Sequence, residues 1–224
     1  MNRTMTDEST ENYYRLRAPE YEQIYYRDVP ERRQEIDDEA TFIRDLAAGK
    51  EVLEIACGTG YWTSIVSETA ASIVACDISS EMIAMAQSKE YHCPVYLCQS
   101  DLNRLPFASN AFDLMIVGFW FSHHPRQEYQ SFFEQIKQPL KKNGLIWLID
   151  NNPPAEGPTI ESHHVDEHGN NYKQRSLDNG QKYIIRKNYF TEDELVDIFA
   201  RHFHLSRLVY KKYYWSVLLK SGVL

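Results

Sequence analysis

Three features are scarce in this 224-residue sequence: long hydrophobic runs, closely paired cysteines and an excess of positive charge. No apolar stretch approaches the roughly 20 residues of a membrane helix, and the polar N-terminus lacks the apolar core of a signal peptide, so a soluble cytoplasmic protein without a membrane span is expected. The four cysteines lack CxxC spacing, which favours buried thiols in a reducing compartment over disulfides or zinc. A formal net charge of −8 argues against a nucleic-acid partner, because binding phosphates requires a basic face.

Apolar material, by contrast, is sufficient for one large core. Hydrophobic residues make up 43% of the sequence and aromatic residues 13%, and the length is typical of a single large domain. The patterns along the chain predict an N-terminal helical cap at 1–48 and a main domain at 49–224. An insertion at about 155–188 interrupts the main domain.

Residues 51–63 have the pattern of a strand, a glycine turn and a helix. The apolar run ends in the carboxylate of Glu54, and the turn contains Ala56, Cys57, Gly58 and Gly60. Glycines let a ligand approach the main chain, and the N–H groups that open the following helix favour polar or anionic ligands. A dinucleotide fingerprint would need glycine at position 56 and a third small residue at position 63, so this turn departs from it twice.

The turn resembles the first motif of the class I S-adenosylmethionine (SAM)-dependent methyltransferases, an acidic residue at a strand end followed by a small-x-Gly-x-Gly loop. The match runs from Glu54 to Gly60, with Ala56 in place of the first glycine. Alanine costs little there if the backbone is not left-handed. The resemblance implies a Rossmann-like, doubly wound and mostly parallel seven-stranded α/β fold. It also implies S-adenosyl-L-methionine as cofactor and S-adenosyl-L-homocysteine (SAH) as product.

Two later acidic residues strengthen the resemblance, which extends from about residue 52 to 150. Asp77 ends a second buried strand, 19 residues after Gly58, and at this distance a strand–helix–strand unit places an acid beside a ribose. Asp101 follows the third strand. By resemblance, the residues that contact the adenine are Ile78, Met82, Asp101 and Leu102.

The fourth predicted strand, at 111–118, ends in an aromatic loop. Because ligands of open parallel sheets bind beyond the carboxyl ends of the strands, this loop is expected to face the reactive end of the cofactor. Gly118 is assigned to the cofactor site, and Phe119, Trp120 and His123 to the substrate site. His123 is the candidate general base, on position alone, since an imidazole titrates near neutral pH. A structural or solvent-exposed role for this histidine is the alternative, and no metal site is expected.

The two segments outside the resemblance have more than one interpretation. The tyrosine-dense segment 11–27 predicts helices interrupted at Pro19, which either pack as a plain cap or form a lid that brings Tyr14 and Tyr21 to the cofactor. In the insertion, Asn179 and Gly180 between alternating segments predict a hairpin. This hairpin is expected to cover the substrate or to form an oligomer contact, as in a homodimer.

The sequence as a whole predicts a SAM-dependent methyltransferase that acts on a small molecule by in-line displacement. The rival interpretations are a dinucleotide-dependent oxidoreductase, a non-catalytic SAM-binding or regulatory protein, and a methyltransferase acting on protein or nucleic acid. The acceptor molecule, its reacting atom (oxygen, nitrogen, carbon or sulfur) and the use of a general base stay open.

Overall fold

Six helices and ten strands make up the parts of the chain that the computed structural model describes, residues 5–17, 29–102, 105–153, 164–177 and 179–221. The helices are α1 Met5–Arg17, α2 Pro30–Leu46, α3 Tyr61–Ser67, α4 Ser80–Gln87, α5 Tyr129–Lys137 and α6 Glu192–Ala200. The strands are β1 Glu51–Ile55, β2 Ser72–Asp77, β3 Val95–Gln99, β4 Phe112–Gly118, β5 Leu140–Asn151, β6 His164–Val165, β7 Asn171–Ser176, β8 Lys182–Arg186, β9 His204–Tyr210 and β10 Tyr214–Lys220.

Seven of the strands form one sheet in the order β3-β2-β1-β4-β5-β10-β9. The first five strands of the chain pair in parallel, whereas β10 runs antiparallel to both β5 and β9. The chain therefore builds outwards from β1 in one direction and then from β4 in the other. This reversal creates a topological switch point, where open α/β sheets bind ligands. The predicted fold class, a mostly parallel seven-stranded sheet with flanking helices, is confirmed.

Alternation along the central strands gives the sheet two buried faces. On β4, Leu114 and Ile116 belong to the hydrophobic cluster that includes residues of α2 and α3. Met115 and Val117 point the other way, into the cluster that includes residues of α5 and α6. This is the period-2 pattern of a pleated strand, and helices on both faces explain why the strand is apolar almost throughout.

Two helix starts follow from local side-chain chemistry. The Ser79 hydroxyl accepts a hydrogen bond from the Met82 N–H at the start of α4. Thr191 and Glu194 form a reciprocal capping box at the start of α6. Both starts are legible in the sequence, because a serine or threonine cap with an acid in the first turn satisfies N–H groups that the helix leaves unpaired.

The insertion after β5 forms a second, antiparallel sheet of β6, β7 and β8. Gly180 has a positive φ of 83° in the turn between β7 and β8, so the predicted hairpin is confirmed. Helix α1 lies against this sheet, where the Tyr13 and Tyr183 ring centroids are 5.9 Å apart. The predicted kink at Pro19 lies outside the described residues. Within the described part of the chain, no helix combines the length and apolar character needed to cross a membrane.

Candidate active site

A cavity of about 200 Å³ opens at the carboxyl ends of the parallel strands, beside the switch point between β1 and β4. The sequence-predicted residues that line it are Tyr14, Ala56, Gly58, Asp77, Ile78, Met82, Asp101, Leu102, Gly118, Phe119, Trp120 and His123. They come from α1, from the ends of β1 to β4 and from the loops that follow these strands. The fold therefore brings together residues that are more than 100 positions apart in the sequence.

The glycine turn after β1 forms part of the cavity wall, and its backbone is left-handed at two positions. Gly58 has a φ of 54°, which glycine adopts without strain. Ala56 also has a φ of 54°. The condition under which alanine would be inexpensive at this position is therefore not met, because a side chain in the left-handed region costs roughly 1–2 kcal/mol.

Asp77 connects the glycine turn to the end of β2. One carboxylate oxygen accepts the Gly58 N–H at 2.9 Å, and the other accepts the Ser79 N–H at 2.9 Å. Burial raises the pKa of this carboxyl group, against the opposing effect of its backbone donors. Each carboxylate oxygen can accept more than one hydrogen bond, so the group is fixed in place and still suited to hydroxyl donors from a ligand.

Three predicted cofactor residues lie behind the cavity rather than on its wall. The Glu54 side chain is buried beneath the turn, where it accepts a hydrogen bond from the Thr63 hydroxyl at 2.5 Å, and burial raises its pKa to about 8. The Cys57 side chain is also buried. A Cβ at Gly60 would lie 2.8 Å from the Tyr91 hydroxyl, so packing requires glycine there. Their cofactor contacts stay predictions, and Tyr21 lies outside the described residues.

The loop after β4 begins with a close contact to α3. A Cβ at Gly118 would lie 2.5 Å from the Trp62 indole, which stacks on Phe119 with ring centroids 6.1 Å apart. Phe119 has a φ of 56°, unusual for a bulky residue. Both Gly118 and Phe119 line the cavity, so its shape at this end depends on a strained and tightly packed backbone.

His123 is buried at the far end of this loop, between α1 and β8. Its Nδ1 contacts the Arg186 carbonyl, and its Nε2 lies 2.9 Å from the Tyr14 hydroxyl. Because a carbonyl only accepts, Nδ1 carries the proton, and Nε2 accepts from Tyr14. Burial, with the charge of Lys187 nearby, lowers the pKa of His123 to about 3. The expectation of titration near neutral pH is not met, since a neutral imidazole of this kind is a weak base; the base role stays a prediction.

A buried ion pair fixes the same loop from below. The Lys187 ammonium donates to Asp150 at 2.8 Å and to the Ser122 hydroxyl at 2.7 Å. Asp150 in turn accepts the Ser122 N–H at 2.9 Å. Burial opposes ionisation of Asp150, but Lys187 and these hydrogen bonds outweigh it and lower the pKa of the carboxyl group. Residues after β8 thus hold the loop that faces the cavity.

Sequence reasoning missed part of the cavity wall. The additional lining residues are Thr10, Glu11, Ser79, His124, Pro125, Glu128 and Arg186. Ser79 and His124 adjoin predicted residues, so the motif itself could have indicated them. Arg186 had no such signal, because only the folding of the insertion brings it to His123, 63 residues earlier in the chain. No cluster of three or more metal-ligating side chains occurs among the described residues.

Comparison with known proteins points to one family. The model described as a methyltransferase domain matches residues 52–144. Among solved structures, the complex of DhpI with SAH is 26% identical with a TM-score of 0.76, and the alignment covers 96% of each chain. The DhpI-SAM-HEP complex is 24% identical, with a TM-score of 0.75 and coverage of 98% of this chain and 99% of that chain.

Curated relatives match over a shorter region. The demethylmenaquinone methyltransferase of Staphylococcus haemolyticus is 27% identical over 111 residues, which are 48% of this chain and 46% of the relative. That of Shouchella clausii is 28% identical over 117 residues, 50% of this chain and 49% of the relative. The chain thus spans about half the length of the curated relatives it matches. The domain match, the strand order and the motif at 54–60 together show that the chain belongs to the class I SAM-dependent methyltransferase family.

Proposed function

We propose that this protein transfers a methyl group from SAM to a small-molecule acceptor. The observation that carries the proposal is a single cavity with two ends of different chemistry. One end has the acidic residues that follow β2 and β3, and the other has aromatic and basic side chains beneath α1. A cofactor and an acceptor can therefore meet in one enclosed space.

The first end suits the nucleoside part of SAM. Asp77 would accept hydrogen bonds from the ribose hydroxyls, because its carboxylate is already held by two backbone N–H groups. Asp101 would contact the adenine amino group, and the rings of the base would lie among Ile78, Met82 and Leu102. When bound, SAM supplies a methyl group attached to a positively charged sulfur.

The second end is covered by α1. Thr10, Glu11 and Tyr14 project from successive turns of this helix into the same cavity as Phe119 and Arg186. The Tyr14 hydroxyl reaches His123 at 2.9 Å, and Arg15 reaches Glu81 of α4 at 3.4 Å, so α1 is attached to both sides of the cavity. A roof of this kind favours a small acceptor over a polymer, which would need an open groove.

Positioning accounts for most of the rate enhancement that this arrangement requires. Holding an acceptor atom in line with the methyl group within about 3–3.5 Å corresponds to roughly 7–11 kcal/mol of barrier. The chain's own part is to exclude water, through α1 and the aromatic loop, and to orient the acceptor. A strong base is not needed for that, which agrees with the low pKa of about 3 at His123.

The relatives support the same proposal. The curated ones are named for a small acceptor, demethylmenaquinone, and DhpI was solved with both SAM and SAH. The low sequence identities do not extend to the acceptor itself.

A labelling experiment tests the proposal. Purified protein is incubated with methyl-labelled SAM and an extract of the source cells, which is then separated into low-molecular-mass, protein and nucleic-acid fractions. We expect label in the low-molecular-mass fraction, and none above background with the Asp77→Ala variant. Label only in a polymer fraction would contradict the small-molecule acceptor, and bound but unconsumed SAM would favour a non-catalytic protein.

A further inference from the structure

A buried arginine lies in the cavity wall at the acceptor end. Arg186, the last residue of β8, is 4% exposed and lines the cavity. Its Nη1 donates to the His123 carbonyl at 2.9 Å, and its guanidinium carbon lies 5.8 Å from the centroid of the Tyr172 ring. These contacts hold the side chain in a fixed position, so little conformational entropy remains to be lost when a ligand binds.

The charges around Arg186 differ in burial. Glu11 and Glu128 line the same cavity, but both are only partly buried. Lys187 is buried beside Arg186 and forms an ion pair with Asp150. Water screens partly exposed charges much more than buried ones, so the charge of Arg186 has the stronger effect on a ligand held inside the cavity.

From this placement we propose that the methyl acceptor carries an ionised oxygen group, a carboxylate or phosphate-type group, which Arg186 binds. The proposal rests on the proposed function and specifies its substrate class. The guanidinium presents its N–H donors in a planar fork that matches the two oxygens of such a group. The rings of Phe119 and Trp120 line the same cavity and suit the apolar part of the molecule.

An ionised acceptor also agrees with the state of His123. In the transfer, a lone pair of the acceptor oxygen forms the new O–CH₃ bond, the electron pair of the broken S–CH₃ bond stays on sulfur, and no proton has to leave. A hydroxyl or amine acceptor would instead need a base. The hydrogen bonds of His123 to Tyr14 and to the Arg186 carbonyl occupy both ring nitrogens. The site therefore supplies a cation for an anionic acceptor rather than a base for a neutral one.

The carboxylate of SAM has the same chemistry, and the experiment must separate the two sources. Calorimetry first measures the affinity of the wild-type protein for SAH, which tests the proposed cofactor site. The SAH-loaded protein is then titrated with benzoate and with benzamide, which share size and shape and differ in charge. We expect saturable binding of benzoate, at least about tenfold tighter than that of benzamide. Equal binding of the two, or no binding of benzoate to the SAH-loaded protein, overturns the proposal.

Variants then assign the anion site to Arg186. In Arg186→Gln we expect benzoate affinity to fall at least about tenfold while SAH affinity changes less than about threefold. Arg186→Lys keeps the charge without the fork and should retain part of the affinity. The control Arg33→Gln removes an exposed arginine of α2 and should alter neither titration. Unchanged benzoate binding in Arg186→Gln overturns the proposal, and so does loss of SAH binding, which would assign Arg186 to the cofactor. If Arg186→Gln does not fold, the comparison of benzoate with benzamide still decides.

Discussion

At the scale of single residues, the cavity wall contains backbone strain that most of the protein avoids. Ala56 and Phe119 both have a positive φ and both line the cavity. Strain of this kind persists only where the surrounding structure imposes it, and it concentrates at functional sites. The two residues follow adjacent parallel strands, β1 and β4, so the strain lies at the switch point of the sheet.

Replacing Ala56 by glycine should therefore stabilise the protein. Ala56→Gly removes the left-handed strain, and the greater freedom of glycine in the unfolded chain offsets only part of the gain, so we expect the free energy of unfolding to rise by about 0.5–1 kcal/mol. Urea unfolding measures it. The matched control is Ala84→Gly on the exposed face of α4, which should lower the stability by about 0.5–1 kcal/mol because its backbone is helical. A loss of stability in both variants would contradict the strain at position 56.

His123 should make stability depend on pH in a defined direction. Its pKa falls from an ordinary 6.5 to about 3 in the folded protein, so between these values the unfolded chain binds a proton that the folded one does not. Stability from this group is present above about pH 6.5 and is lost as the pH falls towards 3, by about 1.4 kcal/mol per pH unit. Urea unfolding at about pH 7.5 and about pH 5 should show this loss in the wild type and a smaller one in His123→Gln. Equal losses would show that His123 titrates normally.

At the scale of elements, the end of β4 and helix α3 share one tight contact. Gly118→Ala would place a Cβ 2.5 Å from the Trp62 indole, which also packs against Phe119 and Trp147. We expect this overpacking to lower the free energy of unfolding by about 1–3 kcal/mol. Thermal or urea unfolding measures it. Trp62→Phe should lessen the cost in the double variant, and a cost that is the same in both backgrounds would mean that the contact is not the cause.

The second sheet should stabilise the loop after β4 through its buried ion pair. Lys187→Met leaves the Asp150 carboxylate buried without its cation, and we expect a loss of about 3–5 kcal/mol in the free energy of unfolding. Adding Asp150→Leu removes the stranded charge and should recover much of that loss. A double-mutant cycle by urea unfolding gives the coupling. Additive losses would contradict a direct interaction between the two residues.

Element boundaries were predictable where local chemistry sets them. The caps at Ser79 and Thr191 and the hairpin turn at Gly180 depend on residues within a few positions. The helix expected at 126–140 is shorter, since a 3₁₀ turn precedes α5 and Leu140 already pairs with Phe112 in the sheet. Strand pairing across the sheet decided that boundary, and the local sequence does not encode it.

At the scale of the whole molecule, the sheet and the first end of the cavity follow from the order of the motifs. Each acid ends a parallel strand, and parallel strands end at one edge, so Asp77 and Asp101 had to lie near Gly58. The second end was less predictable. Arg186 and Lys187 reach the cavity or its supporting loop only because the insertion folds back over β4, which no local pattern indicates.

The central claim, that this cavity is a SAM site with Asp77 as its ribose ligand, is tested most directly by calorimetric titration with SAM, SAH and NADH. We expect micromolar binding of SAM and SAH, no binding of NADH, and loss of binding in Asp77→Ala. The matched control Asp37→Ala removes an exposed acid of α2 and should bind as the wild type does. Absence of SAM binding, or binding that Asp77→Ala leaves unchanged, would contradict the claim.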